Sequence, residues 1–313
     1  MSQYVFGVDI GGTTVKIGIF SKDGELLESW EITTRKDLGG AYILSDIAES
    51  LKKKMEEKQI DITDVIGVGM GVPGPVKEDG TVVKCVNLGW GVFNAADELS
   101  NLIGLPVKVG NDANMAALGE YWQGGGKGYS SLVMVTLGTG VGGGIIINSK
   151  MLSGVNGAGG EIGHMTIDDD EQEVCNCGKR GCLEQYASAT GIVRMAKRVL
   201  NATDRPSQLR EVMYLNAKEI FDAAKSGDDV ALELVEDHGR KLGYALANIA
   251  CVVDPEVFVI GGGVSKAGDI LIETTKKYFQ EYAFHACRGT AFELATLGND
   301  AGMYGGAASV ILG

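Results

Sequence analysis

A cluster of three cysteines and one histidine lies within residues 161–184, which read EIGHMTIDDDEQEVCNCGKRGCLE. Ten residues separate His164 from Cys175, one separates Cys175 from Cys177, and four separate Cys177 from Cys182. Three thiolates and one imidazole complete a tetrahedral zinc site and leave no position open for water, as in structural zinc sites. We therefore predict a metal-fixed loop, and the rest of the chain has to fold around it.

Two other interpretations of these cysteines remain open, namely a redox-inert cluster and a disulfide. A Cys-x-Cys pair is poorly placed to form a bond with itself, and the chain has the composition of an intracellular protein, where disulfides are rare. Glu161 and Glu184 lie just outside the ligand set. A rigid loop with a carboxylate at each end would form a polar pocket suited to ligands rich in hydroxyl groups, because a carboxylate accepts several hydrogen bonds.

The composition is that of a globular protein with an unusual amount of glycine. The 313 residues suffice for two domains, and 47 of them are glycine, about twice the usual ~7%. The glycines cluster, which indicates tight turns and close approach of the backbone to a ligand. A net charge of −13 argues against a nucleic-acid surface. The sequence has no run long enough for a membrane span and no signal peptide, so we expect a cytoplasmic protein.

Two strand–turn–strand units of the same form are predicted far apart in the chain. The first has strands at residues 4–10 and 15–20 around Gly11-Gly12-Thr13-Thr14, and the second has strands at 131–137 and 145–148 around the glycine-rich loop 138–144. This looks like an internal duplication, with one copy in each domain. Longer helices are predicted at residues 41–58, 113–122, 189–200, 217–225, 228–251, 268–282 and 301–312.

The two glycine- and threonine-rich turns are candidates to hold phosphate oxygens through their N–H and hydroxyl groups. The loop at 138–144 contains the spacing of a dinucleotide fingerprint, but that site needs a helix next and a strand is predicted instead. No Gly-Lys pair is followed by Ser or Thr, so a Walker A loop is excluded. Asp9, just before the first turn, is a candidate to hold Mg²⁺ through water. Read alone, each turn is only a hairpin.

Asn111-Asp112 follows a predicted strand and opens a predicted helix. Capping of that helix is the structural interpretation of Asp112, and a general base for a substrate hydroxyl is the functional one. Asn87-Leu88-Gly89-Trp90 lies in a predicted loop. It is either a turn with a packed tryptophan or a turn whose amide contacts a ligand.

The motifs together resemble the ROK family of sugar kinases and transcriptional repressors, within the sugar kinase/Hsp70/actin superfamily. They are Asp9-Ile10-Gly11-Gly12-Thr13, the 138–144 loop, Glu161-x-Gly163-His164 and Cys175-x-Cys177-Gly178-x-x-Gly181-Cys182-x-Glu184. The resemblance covers essentially the whole chain and implies an α/β fold. In that fold two ribonuclease H-like domains of the actin/hexokinase type, each with a mixed five-stranded sheet, enclose a cleft. We expect residues 1–112 with 299–313 in the small domain and 113–298 in the large one.

The resemblance also implies roles for individual residues. It implies that Asp112 is the catalytic base. The residues that it implies as sugar contacts are Asn87, Asn111, Asp112, Glu161, His164 and Glu184. The implied zinc ligands are His164, Cys175, Cys177 and Cys182, with His164 using one ring nitrogen for the metal and the other for a sugar hydroxyl. The expected ATP contacts are Asp9, Gly11, Gly12, Thr13, Thr14, Lys16, Gly138, Thr139, Gly140, Gly261, Gly262, Gly263 and Val264.

The turn at residues 87–90 resembles the glucokinase branch of that family, so we expect transfer of the γ-phosphoryl group of ATP to the 6-hydroxyl of glucose. The alternatives are a kinase for another hexose (mannose, N-acetylmannosamine or fructose) and a non-catalytic sugar sensor of the same family. Repressor members carry an N-terminal helix-turn-helix domain, and since the first strand is predicted at Tyr4 we expect none here. The expected cofactors are one structural Zn²⁺ and the Mg²⁺ of ATP. The expected partners are glucose, ATP and a second copy of the chain, with no nucleic acid or membrane.

Overall fold

A computed structural model of the chain describes residues 3–313. The strands in this range are β1 (Tyr4–Ile10), β2 (Thr14–Ser21), β3 (Leu26–Thr33), β4 (Val65–Val72), β5 (Thr81–Val82), β6 (Phe93–Asn94), β7 (Val107–Asn111), β8 (Leu132–Leu137), β9 (Val141–Ile147), β10 (Lys150–Met151), β11 (Val257–Gly261) and β12 (Ala291–Leu294). The helices are α1 (Asp37–Gly40), α2 (Ile43–Lys58), α3 (Ala95–Ile103), α4 (Asp112–Gln123), α5 (Glu184–Ala187), α6 (Ala189–Ala202), α7 (Ala217–Lys225), α8 (Asp229–Val253), α9 (Asp269–Tyr282) and α10 (Ala301–Ile311). Short 3₁₀ turns lie between them.

The first sheet has the strand order β3-β2-β1-β4-β7. Strand β2 is antiparallel to both β1 and β3, whereas β4 is parallel to β1 and to β7. Side chains alternate along β1, so Phe6 and Val8 belong to one core together with Ile47 of α2, and Val5 belongs to another with Met303 of α10. Helices thus cover both faces, which explains why β1 and β4 are apolar almost throughout.

The second sheet repeats the first, with the strand order β10-β9-β8-β11-β12. Strand β10 is antiparallel to β9, and β11 is parallel to both β8 and β12. In each sheet a three-strand meander is thus followed by two parallel strands. This confirms the prediction of two mixed five-stranded sheets and agrees with an internal duplication.

The last helix approaches the first sheet and α4 at backbone distance, which only glycine permits. A Cβ on Gly305 of α10 would lie 1.6 Å from the carbonyl oxygen of Met115 in α4, and a Cβ on Gly69 of β4 would lie 1.8 Å from that of Gly306. Any larger residue would force the elements apart, because real Cβ contacts at such distances do not occur. The small residues of α10 therefore serve packing.

The chain divides into two compact units. The first comprises residues 1–130, 144–160 and 296–313, and the second comprises 131–143 and 161–295. This differs from the predicted boundary between residues 112 and 113. Helix α4 groups with the first unit because its residue Gly119 packs on the backbone of Ala301, where a Cβ would lie 2.1 Å from the carbonyl oxygen. Residues 144–160 join it too, since Gly144 packs on Ala117.

Within residues 3–313, the helices fall short of the length and apolar character that a membrane span requires.

Candidate active site

The β1–β2 turn of the first unit is closed by its own backbone. The N–H of Gly11 donates to the carbonyl oxygen of Thr14 at 2.9 Å, and the Thr34 hydroxyl donates to the carbonyl oxygen of Gly11 at 2.8 Å. Gly12 and Thr13 at the tip are exposed. The predicted phosphate-binding turn is therefore a hydrogen-bonded hairpin end with its tip accessible.

Some glycines of the predicted site have open space where a side chain would begin, so packing does not explain why they are glycine. A Cβ on Gly12 would meet no atom of residues 3–313 within 4 Å, and its φ lies outside the left-handed region. The same holds for Gly263, and a Cβ on Gly138 would meet only the carbonyl oxygen of Gly140, at 4.0 Å. Neither packing nor backbone conformation requires glycine at these three positions. Close approach of a ligand is a physical reason for it.

Asp9 sits at the end of β1 against the start of α10. A Cβ on Gly302 would lie 2.6 Å from the Cγ of Asp9, so the carboxylate occupies the place of a side chain there. The pKa of Asp9 is raised from 3.8 to about 6, mainly by burial and then by the charge of Asp112; Lys16 lowers it and Asp300 raises it. A half-buried carboxylate with acidic neighbours suits a hard cation such as Mg²⁺, which prefers oxygen ligands.

Lys16 forms an ion pair that the sequence did not reveal. Its ammonium group lies 2.8 Å from Oδ1 of Asp300 and 3.8 Å from Oε1 of Glu31. A phosphate contact by Lys16 would therefore compete with Asp300. The only sequence signal for Asp300 is its position just before the glycine- and alanine-rich last helix.

Asn111, and not Asp112, caps helix α4. The Oδ1 atom of Asn111 accepts a hydrogen bond from the N–H of Asn114 at 3.1 Å, and the backbone of Asn111 is extended. Asp112 is the first residue of the helix, and its Oδ1 accepts from the N–H of Ala113 at 2.8 Å. The capping interpretation of Asp112 is thus wrong, which removes the main structural alternative to the catalytic one.

Two predicted sugar contacts of the first unit have different surroundings. Asn111 is buried, and its Nδ2 donates to the carbonyl oxygen of Gly74 at 3.0 Å, so its amide is engaged at both ends. Asn87 is exposed in a turn. The turn is held by Trp90, which is buried and donates from Nε1 to the carbonyl oxygen of Gly40 at 3.1 Å. A packed tryptophan and an accessible amide therefore coexist in this turn.

The structure brings the four predicted metal ligands of the second unit together. One ligand atom from each of His164, Cys175, Cys177 and Cys182 lies within 4.8 Å of all the others. The Sγ atoms of Cys177 and Cys182 are 3.6 Å apart, and Sγ of Cys175 is 3.8 Å from Nδ1 of His164. Tetrahedral coordination with zinc–ligand distances of 2.0–2.3 Å requires ligand atoms roughly 3.5–3.8 Å apart. All cysteines of the chain carry free thiols, so the residues fit a bound metal better than a disulfide.

The two ring nitrogens of His164 face different carboxylates. Nδ1 lies 3.8 Å from Oε1 of Glu184 and also faces Cys175, whereas Nε2 lies 3.9 Å from Oε2 of Glu161. Metal binding by Nδ1 would leave Nε2 beside Glu161. The predicted sugar contacts Glu161, His164 and Glu184 therefore lie together at the edge of the metal cluster.

A buried ion-pair network behind this loop was not predicted. The side chain of Glu171 is 1% exposed and pairs with Arg194 and Arg198, each at 2.8 Å. It also accepts a hydrogen bond from the Tyr186 hydroxyl at 2.9 Å. The hydrogen bond from the Arg198 guanidinium holds the pKa of Glu171 well below its usual range. This effect outweighs burial, which acts to raise the pKa. Because Glu171 lies between His164 and Cys175 in the chain, the network fixes the loop that carries the metal ligands.

The second glycine loop, residues 138–140, follows β8 and leads into β9, so a strand follows the loop, as predicted, where a dinucleotide fingerprint needs a helix. The N–H of Gly138 donates to the carbonyl oxygen of Gly140 at 3.0 Å. Gly262 has φ +83°, and a Cβ on it would lie 2.6 Å from backbone atoms of Leu137, which places residues 261–264 beside this loop. Val264 is buried, so its side chain is not presented to a ligand.

A cavity of about 460 Å³ opens beside the loop. It is lined by Thr139 of the loop, by residues of α6 that include Ala189 and Thr190, and by residues 215–217, where α7 begins. Its size is within the usual range for small-molecule sites.

Known proteins resemble the chain along nearly its whole length. The model of the ROK family matches residues 5–312. A glucokinase of Halalkalibacterium halodurans is 46% identical over 311 residues, which cover 97% of this chain and 94% of that protein. A glucokinase of Streptomyces coelicolor is 35% identical over 310 residues, which cover 96% of this chain and 95% of that protein.

Among solved structures, a ROK family glucokinase from Streptomyces griseus in complex with glucose and AMPPNP is similar to this chain with a TM-score of 0.77. The two sequences are 35% identical, and the match covers 99% of this chain and 100% of the other.

Proposed function

Because this chain belongs to the ROK family, we propose that it is an ATP-dependent glucokinase, which transfers the γ-phosphoryl group of ATP to the 6-hydroxyl of glucose. The observation that carries this proposal is the full-length similarity to glucokinases, one of which was solved with glucose and AMPPNP. The fold and the functional groups of each unit agree with that activity.

Asp112 is the proposed general base. It follows the capping residue of α4, where its carboxylate is half-buried and near enough to Asp9 for their charges to interact. A carboxylate can accept the proton of the 6-hydroxyl as that oxygen attacks the phosphorus. We further propose that Asn87, Asn111, Glu161, His164 and Glu184 bind the other hydroxyls of the sugar.

The phosphates of ATP are proposed to bind at the two glycine turns, through backbone N–H groups and the hydroxyls of Thr13 and Thr139. The open positions at Gly12 and Gly138 support this placement. Asp9 would hold Mg²⁺ through water, and that ion would reduce the negative charge that the phosphates carry. The cavity beside Thr139 offers room for another part of the nucleotide.

We propose that the metal of the cysteine cluster is zinc in a structural role, because three sulfurs and one nitrogen are a preferred donor set for that ion and leave no open position. Zinc would hold the loop between Glu161 and Glu184 in place. A homodimer and a cytoplasmic location are also part of the proposal.

A coupled assay of ADP release against glucose, mannose, N-acetylmannosamine and fructose tests the activity. We expect glucose to give the highest kcat/KM, and the variant Asp112→Asn, purified in the same way, to report any contaminating kinase. A higher kcat/KM for another hexose would change the substrate assignment. Sugar binding without ADP release from any hexose would instead support the sensor alternative.

A further inference from the structure

The segment from Glu184 to Thr190 lies against residues 138–140, which connect β8 to β9. The N–H of Ala189 donates to the carbonyl oxygen of Gly138 at 2.8 Å. The hydroxyl of Thr190 donates to the carbonyl oxygen of Thr139 at 2.6 Å. A Cβ on Gly140 would lie 2.6 Å from Oε2 of Glu184. The segment and the loop, both in the second unit, are therefore joined by hydrogen bonds at Gly138 and Thr139, and Glu184 lies beside Gly140.

The segment itself is held together by Ser188, which is fully buried. Its Oγ donates to the carbonyl oxygen of Glu184 at 2.6 Å and accepts from the N–H of Gly191 at 2.9 Å, as the N-cap of α6. His238, also buried, lies with Nε2 3.0 Å from the carbonyl oxygen of Ala187. Hydrogen bonds thus tie Glu184 at the start of this short segment to Ser188 and to the first turn of α6.

The two hydroxyl protons of the segment have defined acceptors. Ser188 and Thr190 have their side-chain oxygens 3.0 Å apart, but each oxygen is closer, at 2.6 Å, to a backbone carbonyl. Because each hydroxyl has one proton, the Ser188 proton points to Glu184 and the Thr190 proton points to Thr139. Thr190 therefore supplies the side-chain hydrogen bond between the segment and the loop.

We propose that Thr190 is a positioning residue that couples nucleotide binding at the glycine loop to sugar binding at Glu184. The inference rests on the proposed function, which places phosphates at the loop and a sugar hydroxyl at Glu184. Each ligand would order the same connected piece of backbone, so the second ligand to bind would lose less conformational entropy on binding. By linkage, the nucleotide would then strengthen glucose binding by the same factor as glucose strengthens nucleotide binding.

Calorimetric titration of glucose, with and without saturating AMPPNP and Mg²⁺, tests this on the full chain. For the wild type we expect the Kd of glucose to fall at least about fivefold when AMPPNP is present, the lower end of the usual range for coupled sites. Thr190→Val and Thr190→Ala remove the hydroxyl, and we expect the ratio of the two Kd values to fall close to one. Thr190→Ser keeps the hydroxyl and should keep the ratio.

Thr203→Val is the matched control. Thr203 follows the same helix, and its hydroxyl donates to the carbonyl oxygen of Val199 at 3.3 Å, away from the glycine loop. It should keep the wild-type ratio. Two hydroxyl-free variants are needed because a valine methyl in place of the hydroxyl would crowd the carbonyl of Thr139, whereas alanine leaves space.

An unchanged ratio in folded Thr190→Ala would overturn the proposal, as would a wild-type ratio of one. Equal weakening of glucose with and without AMPPNP, together with a lower Tm, would indicate a purely structural role and would also overturn it. Failure of the wild type to bind glucose or AMPPNP at all would refute the proposed function itself, and the two failures are thereby distinguished.

Discussion

The carboxylate of Asp9 fills the space beside Gly302 in which any other residue would carry its side chain, since a Cβ there would lie 2.6 Å from the Cγ of Asp9. Gly302 is in the first turn of α10, where the helix dipole favours negative charge. Even so, burial dominates and raises the pKa of Asp9 to about 6. The proposed Mg²⁺ ligand is therefore poised to lose its proton close to neutral pH.

The raised pKa predicts how Asp9→Asn changes stability with pH. Well below pH 3.8 the carboxyl is neutral in the folded and unfolded wild type. Between 3.8 and about 6 the unfolded state ionises first, so the wild type loses stability as the pH rises, and above about 6 the loss is complete. We expect the Tm of Asp9→Asn minus that of the wild type to grow between pH 4 and 6 and then level off, measured without Mg²⁺. A difference that falls over this window would contradict the assignment.

The open glycines predict which substitutions harm ATP binding without harming the fold. A Cβ on Gly12 would meet no atom within residues 3–313, so Gly12→Ala should fold with an unchanged or slightly higher Tm, because alanine restricts the unfolded chain. We expect its KM for ATP to rise at least about tenfold, which corresponds to roughly 1.4 kcal/mol of lost binding, while the KM for glucose changes less.

Gly289→Ala is the matched control for this prediction. A Cβ on Gly289 is as free of atoms in the described part of the chain as one on Gly12, its φ is equally ordinary, and it lies outside the predicted site. Its KM for ATP should equal that of the wild type. The same KM for Gly12→Ala and Gly289→Ala would remove Gly12 from the phosphate site.

Local patterns were enough to predict most elements of the fold. The helix predicted at residues 217–225 has those bounds in the structure, and the one predicted at 228–251 runs from Asp229 to Val253. Their signal was the apolar period of an amphipathic helix. Strand β9 was predicted to begin at Ile145 but begins at Val141. Glycine has low strand propensity, and pairing with the neighbouring strand overrides it.

The candidate site was predictable where it is local in sequence and not where it depends on distant contacts. The metal ligands lie within one short stretch, and their spacing alone was enough to predict that they form one site. By contrast, Lys16 and Asp300 are 284 positions apart, and nothing near either residue indicates the other. The grouping of α4 with the first unit likewise depends on a close contact with α10 that only the folded chain reveals.

The metal cluster predicts one zinc per chain and a joint loss of metal and glucose binding on Cys177→Ala. Cys177 is exposed, so removing its sulfur leaves the core intact. Zinc in such a site contributes on the order of 10 kcal/mol of apparent folding free energy to its loop, and that loop carries Glu161 and Glu184. Elemental analysis and glucose titration are the measurements.

Cys251→Ala serves as the control for the zinc prediction, because Cys251 is also exposed but lies outside the cluster. It should keep both zinc and glucose affinity. Fully active wild-type enzyme without stoichiometric zinc would refute a structural metal.

Asp112→Asn is the sharpest test of the proposed chemistry, because Asn111 already caps α4 and the substitution leaves that cap unchanged. Asparagine cannot take up the proton of the 6-hydroxyl, so we expect kcat to fall by about 10²–10⁴-fold. The Tm should stay close to that of the wild type, since loss of a charge in the first helical turn costs only about 0.3–1 kcal/mol. Removing that charge should also lower the pKa of Asp9 in the folded state. The pH range over which ionisation of Asp9 lowers the stability should then end at a lower pH.

Asn111→Ala completes the comparison. It removes the cap and should lower stability by about 0.5–2 kcal/mol, whereas Asp112→Asn should not. Thermal melting, glucose titration and turnover of both variants separate the two roles. Wild-type turnover by Asp112→Asn would show that another group accepts the proton, and the proposed mechanism would then be wrong.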